Sequence, residues 1–422
     1  MKKIVIGLLL IALTHTATAQ IKGILNKAKQ KVGNKANEQV DKSIDKTIDP
    51  SSGKPEKDPG EPNAAPGPAK PATDTAKNES GPTPSIKAYS KYDFVPGERI
   101  LVFEDFMQDA IGDFPAKWNT NATGEVVTVE NLPGRWLSMG KVGFFMPEFI
   151  DSLPDDFTLE MDMLVDQHVH SWGINTNLVE LPDRNNSDNF RSANNRFTLT
   201  IMPGSPEYNN SSCGYNQRKN GVGQAATAAK ITQFANISRP VHIAFWRQKE
   251  RMRVYLNEEK VWDVPKAVLL TARLNALIFE IEAIDKWHFL ISNIRLAVGA
   301  PDTRKKILEQ KKWVTHGILF DVNSATIKPE SYGTLKEMAD VMKENADLKV
   351  KIVGHTDADG SDVANLELSK KRAASVKESL AKEFGIDESR METDGKGESE
   401  PIDKNDTPAG KANNRRVEFI KL

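Results

Sequence analysis

Cysteine is nearly absent from this chain. Cys213 is the single one in 422 residues, which excludes an intrachain disulfide and any zinc site built from several thiolates. Neither charge is in excess, with 57 Lys and Arg against 58 Asp and Glu and a net charge of −1. No global basic field therefore marks a nucleic-acid binder. A long hydrophobic run is also missing. The apolar stretch Ile4 to Leu13 falls short of the about 20 residues needed to cross a bilayer core of about 30 Å, and no region supplies the amphipathic strands of a membrane barrel.

The apolar stretch that is present follows Met1-Lys2-Lys3 and precedes Ala17-Thr18-Ala19, the charged, apolar and small-residue parts of a secretory signal. Cleavage after Ala19 is expected, giving residues 1–19 as signal peptide and a mature chain from Gln20 with no cysteine there to carry a lipid. Residues 20–49 read as an amphipathic helical segment, with Ile21, Ile24, Leu25, Ala28, Val32, Ala36, Val40, Ile44 and Ile48 mostly four apart. That stripe is too narrow for a core of its own and suits a membrane surface or a partner helix. Residues 50–88 are rich in Pro, Ala, Gly, Ser and Lys and read as a disordered tether.

From 89 to 300 the pattern changes to short β-branched and aromatic runs between Gly, Pro, Asn and Asp. Expected strands include Ile100–Phe103, Val126–Val129, Phe157–Met163, Phe197–Ile201, Val241–Trp246, Met252–Leu256, Leu277–Ile281 and Phe289–Arg295. Their number and spacing predict an all-β sandwich. Arg251–Asn257 leading to Lys260-Val261-Trp262 reads as a hairpin, and the whole region resembles laminin-G or concanavalin-like jelly rolls.

Three groups there bear on chemistry. Glu160 and Asp162 share one face of a strand whose Leu159, Met161 and Met163 face inward. Paired acids flank the scissile bond in glycoside hydrolases, but Val165 stands where a third acid is wanted, and an outward charged face is the expectation. His168 and His170, with Asp166 near, have the spacing of metal ligands but amount to no complete site. Asp183 to Asn189 offers oxygens at alternate positions, as calcium requires, without the distal bidentate acid. Trp136, Trp172, Trp246, Trp262 and Trp287 are expected in the core before any sugar-stacking role.

Residues 301–312 read as a charged helical connector. In 313–422 the strand Leu348 to Ile352 alternates strictly and enters the loop Gly354-His355-Thr356-Asp357-Ala358-Asp359-Gly360. Ser361 is a natural N-cap, and Asp362 suits the first turn of the next helix. Its stripe is Leu366, Ala373, Val376, Leu380 and Phe384, which leaves Asn365 and Arg372 on the rim, two turns apart. Asp357, Asn365 and Arg372 then line a shallow pocket beside Thr356. Arg372 can grip a carboxylate and Asp357 can accept from an ammonium, so the pocket fits a zwitterion. The alternative is an Asp357–Arg372 salt bridge that only ties loop to helix.

Gly-His-Thr-Asp at 354–357, with Gly360, Asn365, Leu368-Ser369 and Arg372-Ala373, resembles the signature of the OmpA-like C-terminal domain. Ile318 to Ile327 is similar to that domain's first strand and loop. Gly395 to Pro401 and Asn414 to Glu418 are similar to its closing segments. The resemblance implies an α+β sandwich of order β-α-β-α-β-β, binding to the diaminopimelate of the peptidoglycan stem peptide, and a place in the periplasm or at the outer membrane of a Gram-negative envelope. By position it implies Asp357 and Arg372 as the principal contacts, with Thr356, Asn365, Asn323 and Arg415 as helpers. Asp359 is a further acid on the loop. The expectation is a non-catalytic, multidomain envelope protein without cofactor or metal, in which a jelly-roll-like sandwich holds a glycan or an envelope protein. The alternative is a polysaccharide-cleaving sandwich anchored by the last domain.

Overall fold

The computed structural model describes residues 92–165, 173–204, 210–225, 228–235, 239–282, 288–299 and 303–422. The segments read at 1–88, and Asp166, His168, His170, Trp172 and Trp287, lie outside these residues.

Alternation of apolar and polar residues along Arg99 to Val298 builds two antiparallel sheets of eight strands each. The first runs, in spatial order, Glu259–Val264, Arg251–Leu256, Val241–Gln248, Asp156–Val165, Phe289–Val298, Trp136–Met139 and Gly124–Val127, with Arg99–Glu104 also pairing with Phe289–Val298. The second runs Val222–Ala225, Ser212–Lys219, Arg196–Met202, Ile174–Val179, Ala276–Ile281, Gly143–Pro147 and Trp118–Thr120, with Ala229–Lys230 on Ser212–Lys219. Leu159, Met161, Ile243 and Ile291 of the first sheet share one core with Leu178, Leu199, Ile201 and Phe279 of the second. That shared core makes the pair a β-sandwich.

Several strands were not expected from composition. Ile174–Val179 reads Ile-Asn-Thr-Asn-Leu-Val, and asparagine is depleted in strands. Here the cross-strand partners supply what the side chains need, since the Thr200 and Thr198 hydroxyls donate to Asn175 Oδ1 and Asn177 Oδ1, both at 2.7 Å.

The last domain comprises helices α1 (Thr303–Glu309), α2 (Tyr332–Glu344), α3 (Asp362–Lys382) and α4 (Pro408–Asn414) with a sheet of order Lys312–Thr315, Val417–Lys421, Val350–His355, Met391–Gly397. Its first strand is Lys312–Thr315, earlier than the expected one. Ile318 to Ile327 instead forms a turn closed by the isolated bridge of Phe320 with Ile327, where Asn323 adopts φ 54°. The core packs Leu335, Met338 and Met342 of α2 and Ala373, Val376 and Leu380 of α3 on Val350, Ile352 and Phe419. Leu366, placed in that stripe by periodicity, is 37% exposed. Ser369 is fully buried in its stead, because α3 lies so close to the sheet that only small groups fit. A Cβ on Gly354 would stand 2.3 Å from the Ser369 carbonyl oxygen.

The sandwich and this domain are joined. The segment before the first strand runs between them: Tyr92 and Phe94 pack on Tyr255 and beside Trp246 and Tyr332, Tyr92 Oη donates to the Glu330 carbonyl at 3.2 Å, and Gly97 N donates to Thr158 Oγ1 at 2.9 Å. Gly333 of α2 admits this strap, since a Cβ there would meet the Phe94 carbonyl oxygen at 2.2 Å. No described helix is long and apolar enough to cross a membrane.

Candidate functional site

The strand Val350–His355 ends at the loop of interest, and hydrogen bonds from both neighbouring strands hold its exit. His355 N donates to Arg416 O at 3.0 Å and Thr356 N to Gly397 O at 2.9 Å. The Ser361 hydroxyl caps α3 by accepting from Ala364 N at 3.3 Å. Asn365, in the first turn, reaches back to close the loop: its Nδ2 donates to Asp357 O at 3.3 Å, to Asp359 O at 3.2 Å and to the Glu398 carboxylate. This side chain is buried rather than on the rim, and its amide is consumed within the protein. Its part is to shape the loop.

Asp357 is buried, with 8% of its surface exposed. Its Oδ1 accepts from Asp359 N at 3.2 Å and its Oδ2 from Arg415 Nη1 at 2.5 Å. The ion pair weighed between Asp357 and Arg372 is thus not the one formed; Arg415, read as a helper, takes that place. Arg372 Nε donates to Ser324 O at 2.9 Å and its guanidinium lies 4.9 Å from the centre of the Phe320 ring. Among the described residues its Nη groups have no hydrogen-bond acceptor. Burial, then repulsion from Arg415, draws the Arg372 pKa down, with Asp357 acting the other way. Two guanidinium groups thus act on one carboxylate, and the Nη groups of Arg372 are the ones left to meet an incoming carboxylate.

The Thr356 hydroxyl is buried in the same loop, with no hydrogen-bond partner among the described residues. Asn323 is exposed on the turn whose Ser324 carbonyl receives Arg372, so it acts at most through the turn's shape or directly on a ligand. Asp359 is not a free acid, because its carboxylate accepts from Lys411 Nζ at 2.7 and 3.0 Å. Sequence reasoning missed Glu398, Phe320 and Lys411. Each comes from a segment remote in the chain, and only α4 and the closing strand bring Lys411 and Arg415 to the loop.

The paired acids of the sandwich have another fate. The outward charged face expected for them is covered, with Glu160 buried and Asp162 part-buried. Glu160 accepts from Arg295 Nε at 3.0 Å and Nη2 at 2.6 Å, and lies 3.3 Å from His242 Nε2. Asp162 lies 2.8 Å from His242 Nδ1 and accepts from Asn293 Nδ2 at 2.7 Å. Burial alone would lower the His242 pKa, but the two carboxylates outweigh it and push it up to about 10. Burial likewise opposes ionisation of both acids, and Arg295 with His242 for Glu160, and His242 with Asn293 for Asp162, overcomes it and holds them below the usual range. Arg295 Nη1 donates onward to the His316 carbonyl of the last domain at 2.9 Å.

In the segment read for calcium, Asp183 caps a 3-10 turn by accepting from Asn185 N at 2.9 Å, Asn186 accepts from Asn189 Nδ2 at 3.0 Å, and Asp188 accepts from Asn121 Nδ2 at 3.0 Å. Its oxygens thus serve the turn. Among the described residues no group of three metal-ligating side chains occurs. Trp136 is buried, while Trp246 is half-buried under the Arg253 guanidinium, 4.6 Å from its ring centre.

Residues 319–415 match the OmpA family. The chain is 45% identical over 101 residues to outer membrane porin F of Pseudomonas fluorescens, a match covering 24% of this chain and 31% of that protein. It is 40% identical over 108 residues to the peptidoglycan-binding protein ArfA of Mycobacterium bovis, covering 25% of this chain and 33% of the relative. The chain thus spans about a third of the length of these relatives. Among solved structures it is similar to the peptidoglycan-associated lipoprotein of Burkholderia pseudomallei, with 28% identity, coverage of 25% of this chain and 88% of the other, and a TM-score of 0.24. The segment that carries Asp357, Asn365, Arg372 and Arg415 is an OmpA-like domain, joined in this chain to a β-sandwich.

Proposed function

We propose that the protein is a non-catalytic component of a Gram-negative cell envelope, exported to the periplasm at the outer membrane, that holds peptidoglycan through the diaminopimelate of the stem peptide. The observation that carries this reading is Arg372, whose Nη groups have no hydrogen-bond partner among the described residues and lie in the field of Asp357 and Arg415. The end of the diaminopimelate side chain bears an ammonium and a carboxylate. Asp357 is the acceptor for the first and Arg372, with Arg415 adjacent, the grip for the second. Thr356 Oγ1 is a further polar group within the same loop. The relative named for peptidoglycan binding supports the assignment. The sandwich would hold a second ligand, a glycan or an envelope protein. The non-catalytic reading is favoured over hydrolysis by this pair because Glu160 is buried against Arg295 and His242, and Asp162, part-buried, is engaged by His242 and Asn293.

Calorimetric titration of the protein with muropeptides tests this. Asp357→Ala and Arg372→Ala should each remove a charge-assisted contact of roughly 1.5–3 kcal/mol, about tenfold to over a hundredfold in affinity. The wild type should prefer diaminopimelate over lysine muropeptides, which lack the second carboxylate. Equal affinity for the two, or normal binding by both folded variants, would defeat the assignment.

A further inference from the structure

Arg415 holds Asp357 on one side, and on the other its guanidinium lies 5.1 Å from the centre of the Phe103 ring. Phe103 belongs to the sandwich. Among the described strands, its own, Arg99–Glu104, pairs with Phe289–Val298 alone, and Phe103 stands opposite Arg295 in that register. The free edge of the strand is closed by the last domain: the Asn413 side chain accepts from Ile100 N at 2.9 Å and donates to Ile100 O at 3.0 Å, filling the place of a neighbouring strand. Ile100, Ala297 and Phe103 then pack on Ala412 of α4. His316 Nε2 lies 2.8 Å from Asn413 O, which links this contact to Arg295 through the His316 carbonyl. Asn413 and Arg415 are two residues apart, so the sandwich edge fixes the backbone from which Arg415 extends.

A guanidinium held only by one carboxylate at a half-exposed position swings readily, whereas one sandwiched against an aromatic face is confined to a plane. We propose that the sandwich completes the peptidoglycan site, with Phe103 a positioning residue that orients Arg415 and, through it, the Asp357 carboxylate that meets the ligand's ammonium. This rests on the reading of the loop given above. It makes the strand Arg99–Glu104 part of a binding site whose direct contacts all lie in the other domain.

The test compares Phe103→Leu, which keeps apolar volume against Ala412 and removes the aromatic face, with Phe103→Trp, which keeps that face. Each is measured by calorimetry with a diaminopimelate muropeptide, by thermal midpoint, and by solvent exchange of the Arg415 Nε proton. Phe103→Leu should bind about two- to fivefold more weakly with faster Nε exchange. Phe103→Trp should match the wild type in both. Should Phe103→Leu bind as the wild type does, or should the two variants lose affinity together in step with lost thermal stability, the positioning role fails while the peptidoglycan site stands. Should the wild type itself not bind the muropeptide, the site reading fails, and this inference with it.

Discussion

His242 lies between two carboxylates with almost no access to water, and its charge is part of what holds them. Its folded pKa, pushed up to about 10, stands above the unfolded value of about 6.5. The stability it contributes is fully present below about 6.5 and is lost as pH rises from there through about 10. Glu160 and Asp162, held low, contribute on the opposite limb and lose their share as pH falls into the acid range. Urea midpoints of wild type and His242→Phe, measured between pH 6 and 10.5, should therefore converge as pH rises. A gap that stayed constant would show that His242 is neutral in the folded protein. The sequence made Glu160 and Asp162 legible as a pair on one strand face, but not their fate. His242 and Arg295 reach them from the two flanking strands, and pairing between strands so far apart in the chain leaves no local signal. The loop that carries Asp357 was legible for the opposite reason, since its strand, cap and helix are contiguous, whereas its pairing with Arg415, 58 residues on, was not.

At the scale of the element, α3 and its strand show how contiguity helps and where it stops. The alternation of Leu348 to Ile352, the cap at Ser361 and the run Ala373, Val376, Leu380 are local patterns and lie where they were expected. Leu366 was misplaced because periodicity knows nothing of how near the sheet approaches. Close approach favours Ser369 at the contact and requires Gly354 opposite it. Gly354→Ala should accordingly push α3 from the sheet, costing about 1–3 kcal/mol as an overpacked site. The shift would move Asn365 from the carbonyls it holds and so weaken muropeptide binding as well. Chemical denaturation reads the first effect and titration the second; an alanine variant as stable as the wild type would mean that the helix yields freely. Strands rich in asparagine, such as Ile174–Val179, were not legible, because threonines on the next strand provide the partners that make asparagine acceptable there.

At the scale of the whole molecule, sandwich and last domain behave as one body. The strap Tyr92 to Gly97, the bracket of Ile100 by Asn413 and the chain Glu160–Arg295–His316 tie them at separate places. One unfolding transition by calorimetry is expected for both. Glu160→Ala leaves Arg295 buried without its carboxylate, which should cost roughly 3–5 kcal/mol and separate the melting of the two domains. Two transitions already present in the wild type would show the contacts to be too weak to couple them. None of these ties was legible beforehand: a composition-based boundary near 300 marks where the chain leaves the sandwich, and it is silent about the earlier strap that returns to α2.

That strap also bears on mechanics. Tyr92 is bonded to the Glu330 carbonyl and Phe94 is seated against Gly333, both on the domain that carries the Asp357 loop. Tension applied between residue 92 and a ligand at that loop would pass from the strap directly into α2 and its domain. Asp93, between Tyr92 and Phe94, accepts from Tyr255 Oη at 2.9 Å and from Lys260 Nζ at 3.0 Å, so the first sheet of the sandwich takes part of the same load. The strap thus braces both domains at one point, and a pull on residue 92 would be shared between them before any strand pair opened.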